Sequence, residues 1–157
     1  MPSFSAGQKL TATALQRVVP LFAFKVADEI VNNSTTFQDD DELFFTLEAN
    51  AVYEGNLHVV YNSGTTPDLK WQFTKPSGAT QTDWSFLGYS TASALTYGTG
   101  GESATAGGLG GKTTADAYGL ITTTNAGTLR LQWAQNTANA SNTTIYAGSY
   151  LRCLRVA

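Results

Sequence analysis

The sequence predicts an all-β domain: an antiparallel sandwich of two sheets, a jelly roll ahead of an immunoglobulin-like arrangement, preceded by a short N-terminal arm with one helix. Three observations predict it. From Leu21 onward apolar side chains recur at every second position, the period of a strand with one buried face. About eight such runs are separated by stretches rich in Gly, Asn, Ser, Thr and Pro, the spacing of an all-β sandwich. Charged residues make up only 13% of the chain, against an ordinary ~25%. Thr, Ser, Asn, Gln, Gly and Ala fill the gap, and these suit sheet faces and turns. At 157 residues the chain has the size of one domain and is long enough to bury roughly 70% of its unfolded surface. The division expected is an arm over 1–20 and a β-sandwich domain over 21–157.

In the arm, Leu10, Ala14 and Val18 recur at helical spacing, Thr11 or Thr13 is placed to cap the helix, and Pro20 stops it. Two or three turns are not stable in isolation, so the arm has to dock, either on its own domain or on a neighbouring subunit. Phe4, Leu10, Leu15 and Val18 are the side chains available for docking on a scaffold.

The first strand alternates Phe22, Phe24 and Val26 with Ala23, Lys25 and Ala27. After the polar run 32–36 comes a strand carrying Leu43, Phe45 and Leu47, then a long one with Tyr53, Leu57, Val59 and Tyr61 inward and Glu54, Asn56 and His58 outward. The turn 62–67 leads to the cleanest strand, Leu69, Trp71 and Phe73 against Lys70 and Gln72, and the turn 75–78 leads to one that carries Trp84 and Phe86 and ends near Tyr89. Residues 90–116 are rich in Gly, Ala, Ser and Thr with few large side chains. So long a connection is expected to be functional or mobile, and to find its partners on a neighbouring subunit if it is ordered. Tyr118, Leu120 and Thr122 restart the alternation, and Leu129, Leu131 and Trp133 with the segment 145–156 read as a hairpin across a wide polar loop. A terminal strand this apolar is expected to be paired inside a sheet.

A net charge of −3 with no basic patch argues against nucleic acid as a partner. No run approaches the ~18 apolar residues of a membrane helix, and the N-terminal residues lack the apolar core of a secretory signal. The lone Cys153 has no partner for an internal disulfide and falls on an apolar strand pattern, the place of a small core residue.

The chain offers little catalytic chemistry. Ala106-Gly-Gly-Leu-Gly-Gly-Lys-Thr113 matches a loosened phosphate-loop pattern, but no buried strand precedes it and a strand pattern, not a helix, follows. Asp39, Asp40, Asp41 and Glu42 form an acidic run. It lacks the alternating ligands and central glycine of a calcium loop and reads as the solvated, charged start of a strand. His58 lies on the polar face of its strand, and with one histidine and one cysteine neither a zinc site nor a Cys–His nucleophile is credible. Trp71 and Trp133 are in phase with core positions, whereas Trp84 follows a turn and is expected to be partly exposed, a platform for stacking on a sugar. No catalytic residue, cofactor or metal site is assigned.

Two blocks are distinctive as strings. The first is Ser34-Thr-Thr-Phe-Gln-Asp-Asp-Asp-Glu-Leu43, with Leu47-Glu-Ala-Asn-Ala-Val-Tyr-Glu-Gly-Asn-Leu57 and Tyr61-Asn-Ser-Gly-Thr-Thr-Pro-Asp-Leu-Lys-Trp71. The second is Gly127-Thr-Leu-Arg-Leu-Gln-Trp-Ala-Gln-Asn136 with Ala147-Gly-Ser-Tyr-Leu-Arg-Cys-Leu-Arg-Val156. They resemble small virion structural proteins of tailed bacteriophages, mainly those of actinobacteria, and Phe4-Ser-Ala-Gly-Gln-Lys-Leu-Thr-Ala12 looks like the start of phage tail and fibre proteins. The resemblance implies a non-enzymatic virion component, of minor tail, fibre or capsid-decoration type, assembled in the host cytoplasm. It implies a homotrimer that contacts other virion proteins such as a tail or major capsid protein. A carbohydrate- or host-receptor-binding module that takes a host surface glycan through Trp84 and the 90–116 segment is the alternative.

Overall fold

The computed structural model describes residues 6, 7, 9, 11 and 18–157. Among these there are twelve strands and no helix: β1 (Leu21–Phe24), β2 (Glu29–Val31), β3 (Gln38–Leu47), β4 (Ala51–Asn62), β5 (Leu69–Thr74), β6 (Thr80–Tyr89), β7 (Leu95–Thr99), β8 (Ser103–Ala106), β9 (Thr113–Thr123), β10 (Gly127–Gln135), β11 (Thr143–Ile145) and β12 (Tyr150–Arg155). They form two antiparallel sheets. The larger runs β1-β12-β4-β9-β6-β7, with β11 beside β4 and β2 beside β11. The smaller runs β3-β10-β5-β8. The two-sheet, all-β expectation is met. The helical turns expected over 10–18 fall mainly on residues outside those described.

Period-two patterning places the core between the sheets. Tyr53, Leu57, Val59 and Tyr61 of β4 face Leu69, Trp71 and Phe73 of β5 and Leu129, Leu131 and Trp133 of β10 across a single buried cluster. Trp71 and Trp133 are core residues, as the alternation predicts, and so is Cys153. Trp71 meets Phe86 edge-on at 5.2 Å between ring centres, and Phe73 meets Trp84 at 5.1 Å. Offset and edge contacts of this kind add to the area term in aromatic cores.

Three expectations need correction. Twelve strands replace about eight, because β2, β7, β8 and β11 are short and carry too few large side chains to register as alternation. The 90–116 segment is not an open connection: β7 pairs with β6, β8 pairs with β5, and the start of β9 pairs with β4, all within this chain. Glycine makes that possible where apolar area is lacking. A Cβ on Gly107 would lie 1.9 Å from the Ser90 carbonyl oxygen and one on Gly108 2.1 Å from that of Gly64, so backbone packs directly on backbone. Finally, the C-terminal pair is not a hairpin. β10 belongs to the smaller sheet, and the chain then crosses to β11 and β12 in the larger one, where β12 lies between β1 and β4. The terminal strand is thus paired on both edges.

Candidate functional site

Two features stand out, one on the outer face of the larger sheet and one at the end of the sandwich. On β1 the inward phase belongs to Ala23, which is buried, and Lys25, just past the strand, continues it at 1% exposure. Phe22, Phe24 and Val26 therefore point to solvent, at 57%, 49% and 73% exposure. Phe22 stacks on Tyr150 at 5.5 Å, and Tyr150 stacks on His58 at 5.2 Å. Register extends this into a row across the sheet: Phe24 opposite Tyr150, Tyr150 opposite His58, His58 opposite Asp116, Asp116 opposite Leu87, and Leu87 opposite Tyr97. His58 lies on the outward face, as the strand pattern predicts, but is half-buried in that row, its Nδ1 paired with Asp116 Oδ1 at 2.7 Å.

At the far end of the row Tyr97, Tyr118, Leu120, Ser85, Asp83 and Glu54 line an open groove of about 370 Å³. The Tyr97 hydroxyl donates to Ser85 Oγ at 3.0 Å. Asp83 sits at φ 54° in the bulge that shifts register between Thr82 and Ser85. That bulge also settles the fate of Trp84. Its indole is 1% exposed and donates from Nε1 to the Leu120 carbonyl at 2.8 Å, so the partly exposed stacking platform expected here is ruled out. The ring lies against Gly55 and Gly119, which are opposite each other in β4 and β9. A Cβ on Gly119 would come 2.1 Å from the indole and one on Gly55 2.8 Å. Two strand glycines facing one tryptophan were the missed signal, since glycine inside a strand marks a close approach.

The second feature is a buried charge cluster. Lys25 Nζ lies 2.7 Å from Glu29 Oε2, 3.0 Å from both Asp40 oxygens and 3.7 Å from Glu42 Oε2. Lys25 is 1% exposed and Asp40 0%. Asp40 Oδ1 also accepts the Glu42 and Leu43 amides at 3.0 and 2.8 Å. Burial pulls the Lys25 amine down, but the hydrogen bond to Glu29 and the charge of Asp40 outweigh it and leave the group above its ordinary value. Burial pushes the Glu29 carboxyl up, against the pull of Lys25. Glu42, towards the rim, is lowered: burial raises it, but the Val26 and Ala27 amides prevail. The acidic run is therefore not uniformly solvated. Between Arg130 and Gln132 the β10–β3 register slips, and that irregularity turns Asp40 inward while Asp39 and Asp41 stay exposed.

Phe4, Leu10 and Leu15 lie outside the described residues, and Val18 is 38% exposed. In the phosphate-loop match, Gly107 N donates to the Tyr89 carbonyl, Gly108 N to Asp68 Oδ1 and Gly110 N to the Ser63 carbonyl. A strand, β9, follows. The amides that would cradle phosphate are thus spent on the fold.

No family model and no curated protein sequence matches the chain. Among solved structures it is similar to the tripod from the baseplate of bacteriophage Tuc2009, at 13% identity and a TM-score of 0.41, over 98% of this chain and 73% of that one. It is also similar to the infectious bursal disease virus Gx strain structure, at 8% identity and a TM-score of 0.38, over 99% of this chain and 38% of that one. Likenesses this loose describe the course of the backbone and carry no functional argument.

Proposed function

We propose that the chain is a non-enzymatic structural component of a tailed-phage particle, of the minor tail, fibre-like or capsid-decoration kind that the two sequence blocks resemble, from a phage of actinobacteria. It self-associates, as a homotrimer, through the β1–β12–β4 part of the larger sheet, and residues 1–20 attach it to a tail or major capsid protein. The observation that carries this reading is the aromatic row of exposed Phe22 and Phe24 with Tyr150, with Arg152 and Glu54 beside it on the same face. Contiguous exposed apolar surface of that kind marks an interaction site, and interface centres are depleted of charge and enriched in Phe and Tyr. Closed rings are the ordinary outcome for identical subunits. Mass photometry and light scattering on the purified protein test it. A trimer that Phe22→Ser with Phe24→Ser converts to folded monomer is expected; a wild type that stays monomeric at high concentration overturns the self-association.

A second reading, a carbohydrate- or host-receptor-binding module, is favoured by one observation. Tyr97 and Tyr118, at 71% and 48% exposure, flank Glu54 and Asp83 in the groove, which supplies ring faces for a sugar's C–H surface and carboxylates for its hydroxyls. Binding of a neutral glycan on an array, abolished by Tyr97→Ala and Tyr118→Ala together, would establish it over the purely structural reading.

A further inference from the structure

We propose that Lys25 and Asp40 condense into an intramolecular amide, with Glu29 as proton carrier, so that a covalent staple ties the larger sheet to the smaller one. Three features of the cluster carry the idea.

The first is exclusion of water and fixed approach. Lys25 and Asp40 are 1% and 0% exposed, and Nζ is equidistant, at 3.0 Å, from the two carboxyl oxygens. Two reactants held in one geometry gain the large effective concentration of an intramolecular reaction, and a dry pocket does not return the water that condensation releases.

The second is the asymmetry of the Asp40 carboxyl. Oδ1 accepts two backbone amides, from Glu42 and Leu43, whereas Oδ2 accepts only Lys25 among the described residues. When nitrogen adds to the carboxyl carbon, negative charge gathers on one oxygen, and preorganised amides stabilise it there. Oδ1 is that oxygen, and Oδ2 is the one free to leave.

The third is Glu29. Its Oε2 is 2.7 Å from Nζ, and Gln38 Nε2 holds its other oxygen at 2.7 Å. Burial favours its protonated form, as a carrier that takes and returns protons requires. Because the surrounding carboxylates keep the amine charged, proton transfer to Glu29 comes first and the reaction is slow.

The step balances without any co-reactant. The Lys25 ammonium gives one proton to Glu29, which passes it to Asp40 Oδ2, so that a free amine faces a neutral carboxylic acid. The amine attacks Asp40 Cγ, the Nζ–Cγ bond forms and the single resulting oxyanion rests on Oδ1. Glu29 then takes a second proton from the nitrogen and delivers it to Oδ2. The Cγ–Oδ2 bond breaks and one water leaves. An ammonium and a carboxylate become an amide and water, with no change in total charge. A buried ion pair with a large desolvation penalty is thereby replaced by a neutral group.

Intact-mass spectrometry of the purified full-length protein, fresh and after prolonged incubation at neutral pH, decides the matter. The expected result is a species lighter than the sequence by one water, with a tandem spectrum that joins the peptides containing Lys25 and Asp40. Lys25→Arg should restore the unmodified mass. Glu29→Gln, which keeps the size and a hydrogen-bonding partner for Lys25, should remain folded by circular dichroism and lose the bond or form it many-fold more slowly. Wild-type protein that keeps the full sequence mass throughout overturns the proposal and leaves a buried ion pair. So does a lighter species whose cross-link maps elsewhere, or one that forms at an unchanged rate in folded Glu29→Gln.

Discussion

Gly119 and Trp84 show how much of this fold depends on single atoms. The indole fills the space that a Cβ at 119 would occupy, 2.1 Å from its Cγ. Gly119→Ala must therefore displace a ring that is part of the core, and overpacking of this kind costs about 1–3 kcal/mol or more. Trp84→Ala removes the ring and should cost about 3–5 kcal/mol. Denaturant melts check both, and a Gly119→Ala protein as stable as wild type would show that the Trp84 side chain is misplaced. Lys25 is a second such position. Measured against wild-type protein that still has its full sequence mass, and so still has the ion pair, Lys25→Met leaves Asp40 fully buried with no cation, and breaking a buried pair from one side costs about 3–5 kcal/mol. Restoration of much of that stability in Lys25→Met with Asp40→Leu would confirm that the penalty lies in the stranded carboxylate. Cys153 gives a third test. Burial pushes its thiol up to about 12 and the side chain is 0% exposed, so thiolate is scarce at neutral pH and the sulfur is out of reach. Labelling with a maleimide should be negligible in the native protein and fast in denaturant; rapid native labelling would contradict the packing of β12 between β1 and β4.

At the scale of elements, the strands legible in the sequence are those whose inward side chains are large. Leu69, Trp71 and Phe73 fix β5, and Tyr53, Leu57, Val59 and Tyr61 fix β4, because a period of two with bulky residues has one physical solution. The reading weakens where something other than bulk sets the phase. On β1 the alternation is plain, but the buried side is that of Ala23 and Lys25, chosen by an ion pair whose partner, Asp40, lies in the other sheet. On β3 a register slip turns one aspartate of an acidic run inward, and no local pattern announces it. In residues 90–116 the ordering comes from backbone contacts at Gly101, Gly107 and Gly108, so a count of apolar area underestimates it. Gly108→Ala should accordingly be destabilising, since its Cβ would strike two carbonyl oxygens of the turn after β4, that of Ser63 at 2.5 Å and that of Gly64 at 2.1 Å. Hydrogen exchange should find amides of β8 and of residues 107–110 protected in the isolated wild-type chain and exposed in Gly108→Ala. Exchange at those amides as fast as in an unfolded peptide would restore the view of an open loop. Of the candidate site, the tyrosines and carboxylates of the groove were visible only as scattered letters, because β4, β6, β7 and β9 bring them together from distant parts of the chain.

At the scale of the whole molecule, the self-association and the attachment proposed above can be tested separately. The surface proposed for self-association belongs to Phe22, Phe24, His58 and Tyr150, all within the sandwich. The described chain from Leu21 onward forms both sheets and the complete core cluster. Removal of residues 1–20 therefore takes away none of the described core, and a protein beginning at Leu21 should melt close to wild type and keep its oligomeric state. Contact between the aromatic rings is not screened by salt, whereas the charges of Arg152 and Glu54 beside them are, so the proposed trimer should persist in high salt. Attachment to the particle is a different matter. If residues 1–20 are the anchor proposed, two or three helical turns are too few to be stable alone and would order on the partner, and each apolar side chain buried there would contribute roughly 1.5–3 kcal/mol at most. One arm is then a weak tether, whereas joined arms on one trimer act with a raised effective concentration and hold together what each would release. The truncated trimer should fail to bind particles that lack the protein, and full-length Phe22→Ser with Phe24→Ser should bind them as a monomer, weakly and reversibly. Phe22 and Phe24 are about half exposed but stack on each other and on Tyr150, so a thermal melt of the double variant beside the binding assay separates loss of avidity from unfolding. Truncated protein that decorates particles at wild-type occupancy would remove the arm as the anchor, and a monomeric variant that binds as tightly as wild type would remove the need for three arms.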